Sequence, residues 1–229
     1  MSSITQPDRQ AGPPPAGGLT GHRAIIALDI EQSTRRPDLV KAELRRAVYD
    51  LFDQALRSAG IRRRCRDQFR DRGDGILALI HPVDQAPKAL LLARVIPDFA
   101  QLLASYNAEL PPGARAEGQL RVRAVAHAGE VHYDSNGCFG EALDIAFRLL
   151  DAAHVKKTLR ETASPLALVV SSDIYRSVVR HGYQGIDQHT YRPLVRVQVA
   201  GRRYQGWIHI PQQDAPGQVI AIARYRQPA

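Results

Sequence analysis

The sequence predicts an α+β fold, a ferredoxin-like mixed sheet with helices layered on it, and three observations carry that expectation. Short apolar runs alternate with long segments of helical periodicity. The first half runs in the order strand, helix, hairpin, helix, strand. Near the C-terminus two alternating stretches flank a short turn, which reads as one more antiparallel hairpin.

The elements follow in order. Ala24–Leu28 form a buried strand that ends abruptly in Asp29-Ile30-Glu31-Gln32-Ser33-Thr34. Pro37 and Asp38 can start a helix, and Leu39, Leu44, Val48, Leu51, Phe52 and Leu56 carry it to about Ser58, with Gly60 ending it. The charged segment 61–72 reads as one hairpin arm, Gly73-Asp74-Gly75 as the turn, and 76–80 as the buried arm. A second helix covers about 84–109, with Pro97 expected to kink or break it. A strand from Leu120 bends at Gly129 and ends near Tyr133; a third helix opens at Phe139-Gly140 and is expected to reach about Thr162. A strand at 166–170, a short helix at 172–180 and a hairpin of 194–199 with 204–210 complete the domain. The organisation is thus an N-terminal arm (1–21), one domain (22–211) and a C-terminal tail (212–229), the arm being Gly- and Pro-rich without apolar periodicity.

At 229 residues with 44% hydrophobic content, the chain can bury a full core. No run of about 18 apolar residues and no charged-then-apolar opening segment occurs, so the expectation is a cytoplasmic protein without a membrane partner. Two cysteines, Cys65 and Cys138, are too few for a disulfide framework and lack zinc spacing. The net charge of +8 is spread along the chain except at Arg62-Arg63-Arg64-Cys65-Arg66, and the interleaved aromatics of a nucleic-acid face are missing, so no nucleic-acid partner is expected. A pocket for a triphosphate would use the same charge.

Two carboxylates stand out. Asp29 ends one apolar strand and Asp74 precedes another, and a charge at the end of a buried strand needs a partner: either a helix cap or a shared metal ion. The turn Gln32-Ser33-Thr34 can offer backbone N–H groups to an anion. Asp144 and Arg148 are four apart on one helical face, either as a surface ion pair or bordering something bound. Tyr49 flanks the apolar stripe of its helix, as core edge or as a pocket wall. His127 reads as packed and hydrogen-bonded rather than reactive.

The set Asp29-Ile30-Glu31-Gln32-Ser33-Thr34, Arg72-Gly73-Asp74-Gly75, His127-Ala128-Gly129-Glu130 and Gly140 through Asp144 to Arg148-Leu149 resembles, in order and spacing, the catalytic domain of class III nucleotidyl cyclases over about residues 22–211. The resemblance implies that fold and conversion of a nucleoside triphosphate to a 3′,5′-cyclic monophosphate and pyrophosphate. It implies two Mg2+ or Mn2+ ions held by Asp29, Asp74 and the Ile30 carbonyl, with Gln32, Ser33, Thr34 and Arg202 on the triphosphate and Arg148 on the transferring phosphate. It also implies a homodimer, with each site taking carboxylates from one subunit and the arginine from the other. Where adenylate-forming relatives carry a base-reading lysine and aspartate, this chain has Arg70 and Gly137; Asp144 replaces the usual asparagine, and the guanylate pattern also fails because Cys138 is displaced by one. Together with Tyr49, this is similar to the pyrimidine cyclases of Pycsar antiphage systems, which implies UTP as substrate, cyclic UMP as product, and a separate effector protein that responds to it. The alternatives are a cytidylate or adenylate cyclase in signalling, or a catalytically silent dimerisation or sensing module.

Overall fold

The computed structural model describes residues 19–212. Strand β1 (Thr20–Ile30) extends the apolar run at both ends because all eleven residues pair with β4 (Val122–Asp134), from Thr20↔His132 to Ile30↔Val122. Thr20 and Gly21 therefore belong to the sheet; residues 1–18 of the expected arm and 213–229 of the expected tail lie outside the described residues. Helix α1 (Asp38–Ser58) follows Pro37, and Leu44, Val48, Phe52, Ala55 and Leu56 bury its apolar stripe.

Segment 61–72 departs from the expected hairpin arm. It holds a 3-10 turn at Arg63–Cys65, a single bridge from Arg66 to Ile80, and only then the two-residue strand β2 (Arg70–Asp71) against β3 (Gly75–Ile80). The cause is Arg66, which turns inward to donate to Asp53 of α1 at 2.5 Å and lies 3.8 Å from the Phe69 ring centre. A guanidinium buried this way is held by an ion pair and an aromatic face, so Arg66 is withdrawn from the basic cluster while Arg62, Arg63 and Arg64 stay exposed.

Helix α2 (Lys88–Glu109) is long and apolar enough to cross a membrane by length and composition. Here it is packed: Leu91, Leu92, Val95, Ile96, Phe99, Ala100 and Leu103 are buried in the core. Pro97 does not break it. The turn Leu91–Val95 widens to π geometry, with the Ile96 N–H donating to the Leu91 carbonyl, and this shift of register lets the helix pass a residue that has no N–H to give.

The sheet runs β2-β3-β1-β4-β6-β8-β7, with β5 (Gly137–Phe139) folded back on the end of β4. Its first four strands are antiparallel and have the order of a ferredoxin-like core. Strand β6 (Leu166–Ser171) adds in parallel to β4, and β7 (Arg192–Val199) with β8 (Arg202–His209) forms the terminal hairpin, turning at Ala200 and Gly201. Helices α1 and α2 cover one face and α3 (Glu141–Leu150) with α4 (Ala153–Glu161) the other, each over its own apolar cluster. The expected single helix to Thr162 is two, because Ala152 is extended (φ −59°, ψ 138°); the bend lets α3 and α4 each lay a stripe on the sheet. Strand β4 is continuous through Gly129, in unbroken register with β1. A Cβ there would stand 2.7 Å from the Ala142 Cβ, so the missing side chain admits the first turn of α3.

Candidate active site

The site is built where β1 ends. Side chains alternate along a strand, so Ile25, Ala27 and Asp29 all face the α3 layer. Asp29 stands opposite Gly75 in one neighbouring strand and opposite Arg123 in the other. Gly75 is backed so closely onto β1 that a Cβ would fall 2.1 Å from the Leu28 carbonyl oxygen, and the Ile30 N–H donates to the Asp74 carbonyl at 3.1 Å. This contact brings the Asp74 carboxyl close enough to Asp29 to act on its charge. Burial raises the Asp29 pKa to about 6, with Arg123 opposing and Asp74 adding to the rise.

Arg123 was not singled out by the motifs. Its Nη2 donates to Asp29 Oδ2, while its Nε and Nη1 are buried without a hydrogen-bond acceptor. Its signal in the sequence was a charged residue at an inward position of a strand that is otherwise buried. The neighbouring inward arginine, Arg121, is fully used: it donates to Glu31 at 2.9 Å and to the carbonyls of Leu159 and Thr162 at the end of α4.

An open cavity of about 680 Å³ lies beside these groups. Its walls include Asp29, Arg72 and Arg123 from the sheet, Asp144, Phe147 and Arg148 from α3, and Asp151 just beyond it. Asp144 and Arg148 are exposed in this cavity and form no ion pair with each other, so their shared face borders a space rather than bulk solvent alone. One chain thus carries Asp29 and Arg148 on the walls of one cavity.

Other expected residues sit differently. The Ile30 side chain is buried, so only its backbone can serve a ligand. Gln32 (φ 57°), buried Ser33 and exposed Thr34 form a single 3-10 turn rather than the start of α1, and the Glu31 amide is already taken by the Arg121 carbonyl, which removes it from the turn's donors. Arg202 does not line the cavity. It stands at the start of β8 beside Tyr204, whose hydroxyl donates to Glu141 at 2.7 Å; the hairpin presents Gln198, Val199 and Ala200 instead. Tyr49 lies in the opposite layer, edge-on to Phe69 at 6.0 Å, on a separate cavity of about 570 Å³. The sheet separates it from Asp29 within the chain. Arg70 also lies off the main cavity, 5.9 Å from the Tyr133 ring centre and facing Gly137, where a Cβ would be 3.5 Å from its Nη1. The two positions expected to read the base are therefore neighbours.

A divalent ion fits this donor set. No group of three His, Cys, Asp or Glu side chains forms a metal cluster among the described residues. Two adjoining carboxylates, one destabilised as an anion, suit a hard cation that takes its remaining ligands from water and phosphate oxygens.

No protein-family model and no curated protein sequence matches the chain. Solved structures do match it. The guanylyl cyclase Cya2 aligns at a TM-score of 0.57 and 15% identity, over 84% of this chain and 93% of that one. The fold is that of the adenylyl and guanylyl cyclase domains. An adenylate/guanylate cyclase/hydrolase from Silicibacter pomeroyi (TM-score 0.55, 18% identity, 86% and 99% covered) and the adenylyl cyclase CyaB from P. aeruginosa (0.54, 12%, 87% and 100%) share it. The cyclase fold accounts for the mixed sheet and for both helix layers. At such low identity it speaks for architecture, and the chemistry rests on the residues of the cavity.

Proposed function

We propose that the chain is a nucleotidyl cyclase that converts a nucleoside triphosphate, with UTP favoured, to the 3′,5′-cyclic monophosphate and pyrophosphate. One observation carries the reading: Asp29 and Asp74 adjoin at the strand ends beside a cavity that also holds Arg123, in a chain with the cyclase fold. Asp29, Asp74 and the Ile30 carbonyl would hold two Mg2+ or Mn2+ ions. Bound there, the ions would acidify the ribose 3′ hydroxyl and offset charge on the pyrophosphate.

The protein groups divide the remaining work. Arg123, bonded to Asp29 and with its Nη1 3.7 Å from the Asp151 carboxylate, has N–H groups without a hydrogen-bond acceptor that would turn to phosphate oxygens. Gln32–Thr34 bring backbone N–H groups to the phosphates, and Arg148 meets the charge that develops on the transferring phosphate. Asp144 accepts a hydrogen bond from a ribose hydroxyl.

For the base, Arg70 offers donors, and its Nε is buried without a partner. Donors suit the carbonyls of uracil and oppose the amino edge of adenine. Gly137 beside it leaves room and brings no carboxylate. Tyr49 reaches a base only if a second subunit brings another cavity to it, which agrees with a homodimer whose sites lie between subunits. The Pycsar resemblance adds the setting: a cytoplasmic synthase of a second messenger in antiviral defence, read by a separate effector protein.

The test is purified protein with UTP, CTP, ATP and GTP in Mn2+, products identified by mass. Cyclic UMP as the main product is the expected outcome. Cyclic AMP or cyclic CMP as the main product would overturn the base assignment, and no cyclic product from any of the four would overturn the enzyme.

A further inference from the structure

Arg72 has no role in the motifs, and its position gives it one. The turn that carries it is held from both ends: Arg45 of α1 clamps the Asp71 carboxylate with two bonds of 3.0 Å, Asp71 in turn accepts the Gly73 N–H at 2.8 Å, and the Arg72 N–H donates to the Gly75 carbonyl at 3.1 Å. The side chain leaves this turn toward α3 and lies 4.2 Å from the ring centre of Phe147, the residue before Arg148. There it lines the cavity with Asp29, Arg123 and Arg148. Among the described residues the guanidinium has no ion-pair partner and donates to no side-chain acceptor; it rests on the Phe147 ring, with the Cys138 thiol near enough to feel its charge, and its N–H groups stay free for a ligand. A cation fixed by an aromatic face and left without an anion, two residues from Asp74, suits an anionic ligand with several oxygens.

We propose that Arg72 binds the outer phosphates of the substrate and the pyrophosphate that leaves, in the place expected of Arg202, which lies outside the cavity. The inference rests on the cyclase reading for its substrate, but the anion site itself does not. Phe147 is the positioning residue: its ring holds the guanidinium over the cavity.

The experiment is titration calorimetry of the full chain with inorganic tripolyphosphate in Mg2+, beside turnover of UTP. Arg72→Ala is expected to weaken tripolyphosphate binding roughly tenfold or more and to raise KM by a similar factor. Arg72→Lys should recover part of the affinity, and Phe147→Leu should lose some with the charge still present. Melting temperature reports folding for each variant, and a merely structural Arg72 would lower it without changing affinity per folded molecule. Unchanged tripolyphosphate affinity in Arg72→Ala, or a larger loss in Arg202→Ala, would overturn the inference while leaving the cyclase intact. Tripolyphosphate bound through Arg72 by a protein that makes no cyclic nucleotide would instead overturn the cyclase reading alone.

Discussion

At the scale of single residues the decisive feature is a carboxyl that does not sit comfortably as an anion. The pKa of Asp29 in the folded protein is about 6, above its ordinary 3.8. Between those values the folded protein keeps a proton that the unfolded chain has lost, so stability of the metal-free protein falls as pH rises from about 4 to 6 and stays lower above. The loss is at most roughly 3 kcal/mol. Calorimetric melting across pH should show this slope in the wild type and its absence in Asp29→Asn, which should also be inactive. Mn2+ should raise the melting temperature more at pH 7 than at pH 5, because the carboxylate that binds it must first be charged. Arg148 makes a separate prediction: Arg148→Ala should cut kcat on the order of a hundredfold or more with little change in melting, since the side chain is exposed and unpaired in the cavity. A steady-state assay that found kcat unchanged would remove it from the reaction.

At the scale of elements, the meeting of Asp29 and Asp74 depends on how tightly β3 lies on β1. A single Cβ at position 75 would collide with the Leu28 carbonyl, a backbone atom that cannot swing away. Gly75→Ala should therefore lower the melting temperature and abolish turnover together, whereas Asp74→Ala should abolish turnover and leave the fold in place. Circular dichroism melts beside product assays distinguish the two, and full activity in Asp74→Ala would remove the paired-carboxylate site. The opposite layer is bound by an aromatic cluster: Phe52 stacks on Phe69 at 5.6 Å and meets Phe99 edge-on at 5.3 Å. These rings join α1 to α2 across the sheet from the cavity, so Phe52→Ala should cost about 3–5 kcal/mol of stability in chemical denaturation while sparing the chemistry of whatever remains folded.

For the whole molecule the question is which subunit serves which site. The cavity of one chain holds both Asp29 and Arg148, while Tyr49 lies on the far side of the sheet. The proposed homodimer makes each site from two subunits, and mixing two inactive proteins decides it. Asp74→Ala combined with Arg148→Ala should regain about a quarter of wild-type activity if the sites are shared, since half the reassorted dimers then carry one intact site. No recovery would mean that each chain completes its own.

The architecture was legible in the sequence, because period-two and period-3.6 patterns persist in any packing that buries them: β1, β3 and β4, the helices layered on the sheet and the two strand-end carboxylates could all be read, while β2 shrank to Arg70–Asp71. The sequence also marked Asp144 and Arg148 as sharing one face. What it did not determine were contacts between residues far apart in the chain. Arg123 meets Asp29 across 94 positions, and Arg72 reaches Phe147 because the β2–β3 turn and α3 are packed together rather than through any local spacing. The Lys88–Glu109 helix ran through Pro97, and segment 61–72 left the ladder, because a π turn and an inward Arg66 answered to neighbours that local propensity does not include. Tertiary structure alone decided which arginines face the cavity, since a charged side chain is placed by the partners that packing brings to it.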